Sequence, residues 1–176
     1  PSGKRRVTYV ISDLHLGAGD LRDLSIRRQV GRDFRDISVA SIMGTIDVEL
    51  WRFIRWLVAN QHDLMLLGDT FDHPAAESDD RAAAPTEDDC VRTFLKIAGA
   101  HQGFMVALQY FCSQPGAMLR IVPGNHDIFL KMPGVWAEFM KLVAPEHPER
   151  VQRLSSLDED EIHYEHGAVE PHDRFD

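Results

Sequence analysis

The chain is short of the residues that mark several protein classes. It has two cysteines, Cys90 and Cys112, in 176 residues, too few for a disulfide-stapled scaffold. Both fall in a stretch that reads as helical, and along one helix they would stand about 33 Å apart, too far for a bridge. No run approaches the ~18 apolar residues of a membrane-spanning helix. The opening Pro1-Ser2-Gly3-Lys4-Arg5-Arg6 leads into a strand-like run rather than the apolar core of a signal peptide. The expectation is a cytoplasmic protein with reduced thiols. Positive charge is also scarce: 19 Lys and Arg face 28 Asp and Glu, for a formal charge of −9. A nonspecific nucleic-acid binder needs a basic face, which this balance disfavours. A phosphate substrate remains compatible, because bound metal ions reverse the local field. Asparagine is rarest among the polar residues, with only Asn60 and Asn125.

One of those two asparagines lies in Gly124-Asn125-His126-Asp127, which follows the apolar run Ile121-Val122-Pro123. This composition produces that tetrapeptide by chance in roughly one such chain in a thousand. Asp13-Leu14-His15 and Gly68-Asp69 also follow short apolar runs. Three strands, each ending in metal-ligand residue types, predict one site at a sheet edge.

The length suits one domain spanning residues 1–176. Val7 to Ser12 reads as a strand. Residues 17–44 are charged and weakly periodic, and read as a long loop or insertion with at most a short helix. Thr45 is an N-cap candidate for an amphipathic helix on Ile46, Leu50, Phe53, Ile54 and Leu57. Asp63 to Leu67 is a second strand. Residues 73–87 form a Pro-, Ala- and Asp-rich loop, after which Thr86 and Asp89 resemble a capping box. A helical region runs from about 87 to 113, broken near Gly99 or Gly103. Met118 to Val122 is a third strand, and Pro133 opens a helix to Val143. Strands are also expected at Val151 to Leu154 and Glu161 to Glu165. Alternating strands and helices predict an α/β fold with a mainly parallel sheet. Ligands in such folds sit beyond the carboxyl ends of the strands.

Asp13 and His15 lie two apart, so in an extended segment both point to one side. With this many Asp and His, a lone Asp-x-His arises about once by chance. Its position after Tyr9-Val10-Ile11-Ser12 gives it weight. Asp69 follows a glycine at a strand end, where a carboxylate can bridge two cations or simply cap a turn. Asp72 has the same two readings. Asn125 offers a carbonyl oxygen, and His126 is a ligand or a general acid. Asp127 orients the imidazole or caps the next turn. His163 and His166 are three apart on a strand and face opposite sides; His166, at the carboxyl end, is the candidate. His62 and His73 are expected to face solvent, with contact to substrate the alternative for His73, and His101 and His147 to lie on the surface. The set Asp13, His15, Asp69, Asn125 and His166 mixes O and N donors without thiolate. It suits Mn²⁺, Fe or Zn²⁺ better than Ca²⁺.

In this order, Ile11-Ser12-Asp13-Leu14-His15-Leu16-Gly17, Leu67-Gly68-Asp69-Thr70-Phe71-Asp72, Val122-Pro123-Gly124-Asn125-His126-Asp127 and Glu165-His166-Gly167 resemble the calcineurin-like metallophosphoesterase superfamily. Asp-Leu-His-Leu-Gly and Gly-Asp-x-Phe-Asp are similar to the branch of UDP-2,3-diacylglucosamine hydrolase-like enzymes. The resemblance implies a two-layer β sandwich flanked by helices. It implies two divalent metal ions, Mn²⁺ foremost, with Asp13 and His15 on the first, Asp69 bridging, and Asn125 and His166 on the second. His126, oriented by Asp72, would protonate the leaving oxygen while a metal-bound hydroxide attacks phosphorus in line. The implied reaction is hydrolysis of a phosphomonoester, phosphodiester or pyrophosphate bond. The family's closing Gly-His-x-His does not follow residue 167, so each metal would be one ligand short. A C-terminally incomplete domain is the expectation; His172, by default a surface residue, is only a candidate substitute for one missing ligand. The rival expectation is a truncated or degenerate domain that binds a partner without catalysis.

Overall fold

The computed structural model describes residues 6–17, 25–30, 33–72 and 85–155, with side chains from 46 onward after the first segment. Four strands form one parallel sheet: β1 (Thr8–Ile11), β4 (Asp63–Leu67), β5 (Leu119–Val122) and β6 (Val151–Arg153), in the order β1-β4-β5-β6. Four α-helices connect them: α1 (Val39–Asn60), α2 (Glu87–Ala100), α3 (Gln102–Ser113) and α4 (Pro133–Val143). The α/β class expected from the alternation is the class observed. Asp63 to Leu67 and Pro133 to Val143 match the expected spans, and the Thr86–Asp89 capping box is formed. The expected strand at 161–165 lies outside the described residues.

Each step along this sheet goes the same way. Right-handed crossovers taken in one direction put every connecting helix on one face. Accordingly α1 packs on α3, α3 on α4 and α4 on α2. Leu64, Leu66, Leu119 and Ile121 point into that layer and are fully buried. On the other face the register aligns Val10, Met65, Arg120 and Gln152, and Val10 is 53% exposed. No described helix covers that face.

Two parts of the fold differ from the sequence reading. Residues 17–44 are not a plain loop: β2 (Ser25–Val30) and β3 (Asp33–Ser38) make an antiparallel hairpin, with Val30 paired to Asp33. α1 then starts at Val39, so Thr45 lies inside the helix rather than capping it. The polar residues of this stretch gave no helical period, and a two-stranded ribbon needs none. α1 ends in a Schellman arrangement: Gln61 is left-handed (φ 58°), its N–H bonds Val58 O at 3.1 Å, and His62 N–H bonds Leu57 O at 2.9 Å.

The helical region 87–113 breaks at His101, between Gly99 and Gly103. His101 was expected on the surface but is 2% exposed. It joins two helices that pack together, and its Nδ1 donates to Asp47 Oδ1 on α1 at 3.1 Å. That internal acceptor satisfies one ring nitrogen, while Nε2 is buried without a hydrogen-bond partner. His62, expected to face solvent, is half-buried against the rings of Tyr9 and Trp56, with centroids 5.0 and 5.5 Å away. Cys90 and Cys112 are buried free thiols; burial pushes Cys112 up to about 12. No described helix is long and apolar enough to cross a membrane.

Candidate metal centre

Three loops leave the carboxyl ends of β1, β4 and β5 side by side, because their parent strands are adjacent and parallel. Each is pinned by a buried apolar residue next to its polar ones. Leu16 follows His15 and is 1% exposed; Phe71 precedes Asp72 and is fully buried. The two pair as an isolated parallel bridge. Phe71 also packs edge-on to Phe94 at 5.8 Å and to Phe139 at 6.3 Å, anchoring its loop in the helical layer. Phe129 and Leu130 anchor the third loop. Alternation does the rest: an inward apolar residue leaves its polar neighbour facing out.

The backbone around the polar residues is strained. Asp13, His15 and Asp69 have φ of 55°, 48° and 50°, and Gly68 has 69°. A left-handed conformation costs an L-residue roughly 1–2 kcal/mol, and such residues gather at functional sites. Asp13 and His15 therefore converge through a left-handed turn, not through the extended spacing the sequence suggested. The loops are sewn together: His15 N–H bonds Asp69 O at 2.9 Å, Leu16 N–H bonds Thr70 O at 3.0 Å, and Gly68 N–H bonds Val122 O at 2.8 Å.

Ligand atoms of Asp13, His15 and Asp69 lie within 4.8 Å of one another, as do those of His15, Asp72 and His126. Two carboxylates and an imidazole at that spacing fit one hard-to-borderline divalent cation. His126 Nδ1 donates to Asp72 Oδ1 at 2.7 Å, and His15 Nδ1 donates to the same oxygen at 3.1 Å. A carboxylate only accepts, so each imidazole keeps Nε2 for another partner. The two rings meet edge to face at 4.9 Å. The Asp72 hydrogen bond raises the His15 pKa above 6.5, against a smaller opposing effect of desolvation; the charges of Asp72, Asp69 and Asp13 add to the rise.

Asp127 takes neither role the sequence left open. It is 1% exposed, and its carboxylate accepts from Thr70 N–H at 2.8 Å and Gly124 N–H at 2.5 Å. It ties the Asp69 loop to the Asn125 loop. Burial pushes its carboxyl up while backbone N–H groups of Thr70, Gly124 and Phe71 draw it down. Asn125 is exposed on the same loop, beside His126. His126 N–H donates to Asp69 Oδ1 at 3.0 Å. His166, His172 and His163 lie outside the described residues, as does His73.

Glycines let these loops touch. A Cβ on Gly124 would meet Asp69 Oδ1 at 2.3 Å and Gly68 Cα at 2.9 Å. The signal was available, since Gly68 and Gly124 both immediately precede candidate ligands. No family model matches the chain, and neither a curated protein nor a solved structure matches it.

Proposed function

We propose that this chain is a metal-dependent phosphoesterase domain of the calcineurin-like type, hydrolysing a phosphomonoester, phosphodiester or pyrophosphate bond. The observation that carries this reading is the convergence of Asp13, His15, Asp69, Asp72 and His126, from three separate loops, at the carboxyl edge of one parallel sheet. The sheet face around Val10, 53% exposed, supports the two-layer sandwich that goes with this reading. Parallel sheets are normally covered on both sides, and a second sheet against Val10 meets that need.

Asp13 and His15 would hold a first divalent cation, foremost Mn²⁺. Asp69 would bridge to a second, which Asn125 and His166 would hold. Bound cations supply Lewis acidity toward phosphoryl oxygens and lower the pKa of water. The residues do the rest. Asp72 accepts from His126 Nδ1–H, so the imidazolium form of His126 would turn its Nε2–H outward and hand that proton to the departing oxygen, leaving the neutral ring bonded to Asp72. Asp69 Oδ1, by accepting from His126 N–H, fixes the loop on which that imidazole stands. Asp127 and Gly124 keep the two loops in contact.

The test is turnover of 4-nitrophenyl phosphate and bis(4-nitrophenyl) phosphate with Mn²⁺. Asp69→Asn is expected to abolish it. His126→Ala is expected to lower it by about 10²- to 10⁴-fold, the usual worth of a general acid. Equal turnover in wild type and both variants would rule the reading out.

A further inference from the structure

His15, Asp72 and His126 stand on the loops that follow β1, β4 and β5. One ligand atom of each lies within 4.8 Å of the other two. They form a second triad, which shares only His15 with Asp13, His15 and Asp69. The first triad has two carboxylates and one imidazole; this one has two imidazoles and one carboxylate. Carboxylate suits Mn²⁺, whereas imidazole suits Zn²⁺, which also stands above Mn²⁺ in general affinity for such donors.

The distances fit a cation between these groups. His126 Nδ1 and His15 Nδ1 stand 2.7 and 3.1 Å from the same Asp72 Oδ1. Around a tetrahedral Zn²⁺, with bonds of about 2.0–2.2 Å, neighbouring ligand atoms stand about 3.3 Å apart. Side-chain shifts of under about 1 Å reach that spacing. The three side chains are 40%, 28% and 29% exposed, which leaves them room to move and leaves a fourth position to water.

The two triads exclude each other at His15. A neutral imidazole has one acceptor nitrogen and one N–H. Bonded through Nδ1–H to Asp72, His15 keeps its lone pair on Nε2, free for a cation beside Asp13 and Asp69. A cation beside Asp72 needs that pair on Nδ1; Nε2 then carries the proton and holds no metal. His126 changes in the same way. With Nδ1 on a cation and a proton on Nε2, it has no lone pair left and cannot form the imidazolium that would protonate a leaving oxygen. We propose that His15, Asp72 and His126 form a Zn²⁺ seat, filled in competition with the Mn²⁺ seat of Asp13, His15 and Asp69, and that Zn²⁺ there shuts the site down. The seat stands on the geometry; its inhibitory consequence rests on the phosphoesterase reading.

The test uses the full chain, stripped of metal, as wild type, His126→Ala and Asp69→Asn. Zn²⁺ is titrated against a chromophoric chelator, and retained Mn²⁺ is counted by elemental mass spectrometry. His126→Ala is expected to weaken Zn²⁺ binding at least about tenfold, since even an outer partner of a metal ligand is worth 10- to 100-fold. It is expected to retain Mn²⁺ as wild type does, which also shows that it is folded. Asp69→Asn is expected to do the reverse, losing Mn²⁺ and keeping its Zn²⁺ affinity. Zn²⁺ affinity unchanged in His126→Ala, or lost in Asp69→Asn, would put Zn²⁺ in the first seat and overturn the inference. Zn²⁺ added to the Mn²⁺-loaded wild type is expected to stop turnover of 4-nitrophenyl phosphate; turnover that continues with Zn²⁺ bound overturns the inference too. Zn²⁺ binding as expected, in a wild type that shows no turnover with Mn²⁺ alone, keeps the seat and removes the phosphoesterase reading, so the two failures are distinguishable.

Discussion

Gly124 and Asp69 stand so close that there is no room for a side chain between them: a Cβ on Gly124 would lie 2.3 Å from Asp69 Oδ1 and 2.8 Å from its backbone nitrogen. The obstacle is partly backbone, which cannot swing aside as a side-chain tip does. Gly124→Ala is therefore expected to destabilise the fold by about 1–3 kcal/mol, as overpacking does. It should also weaken Mn²⁺ binding by displacing Asp69. Urea unfolding and Mn²⁺ titration of the variant measure both; wild-type values in each would contradict the close approach.

Asp72 holds two imidazoles through a single oxygen. In metal-free protein, His15 should titrate above 6.5, because the Asp72 hydrogen bond is the main cause of its raised pKa. A raised folded-state pKa means that the pairing stabilises fully below 6.5 and is lost as the pH climbs through the folded value. Asp72→Asn should lower the His15 pKa in an NMR titration. On the proposed phosphoesterase reading, Asp72→Asn should also cut turnover with Mn²⁺ by about 10- to 100-fold, as the loss of an orienting partner does.

Asp127 uses both carboxylate oxygens on backbone N–H groups of two loops. Asp127→Asn keeps the shape but turns one acceptor into a donor facing an N–H. The expected loss is about 1–3 kcal/mol, read as a lower urea midpoint with an unchanged slope. An unchanged midpoint would mean that the loops are held by other contacts.

Thr86 caps α2 reciprocally: Asp89 N–H donates to Thr86 Oγ1 at 3.2 Å, and Thr86 N–H donates to Asp89 Oδ2 at 3.1 Å. Hydrogen bonds from the Thr86 side chain and backbone lower the Asp89 pKa below 3.8, with Arg92 helping. A lowered folded-state pKa gives stability that is present above 3.8 and fades as the pH falls through the folded value. Thr86→Ala should thus be less stable than wild type at neutral pH, and the gap should narrow in acid. A gap that does not change with pH would detach Asp89 from the cap.

The strands and their ligand-bearing ends were legible because each is a short apolar run followed by Gly or Asp, as in Leu66-Leu67-Gly68-Asp69. The capping box was legible because its spacing is local. The hairpin was not, because Ser25–Val30 and Asp33–Ser38 interleave arginine and aspartate with few apolar residues, so neither a period of 2 nor one of 3.6 stands out. Gly31-Arg32 between them fits the Gly-X composition of two-residue hairpin connections, a signal hidden by the charge around it. The burial of His101 depends on Asp47, 54 residues earlier, and no window along the chain holds both. That the site residues share one sheet edge was legible from the strands they follow. The left-handed backbone at Asp13, His15 and Asp69 was not, because tertiary contacts impose it.

A divalent-cation site formed by Asp13, His15 and Asp69 is tested most directly by Mn²⁺ binding to desalted wild type and Asp69→Asn, by elemental mass spectrometry per folded chain. Wild type is expected to retain Mn²⁺ and Asp69→Asn, while still folded, to retain much less. A wild type that holds none, or a variant that holds as much, would contradict it.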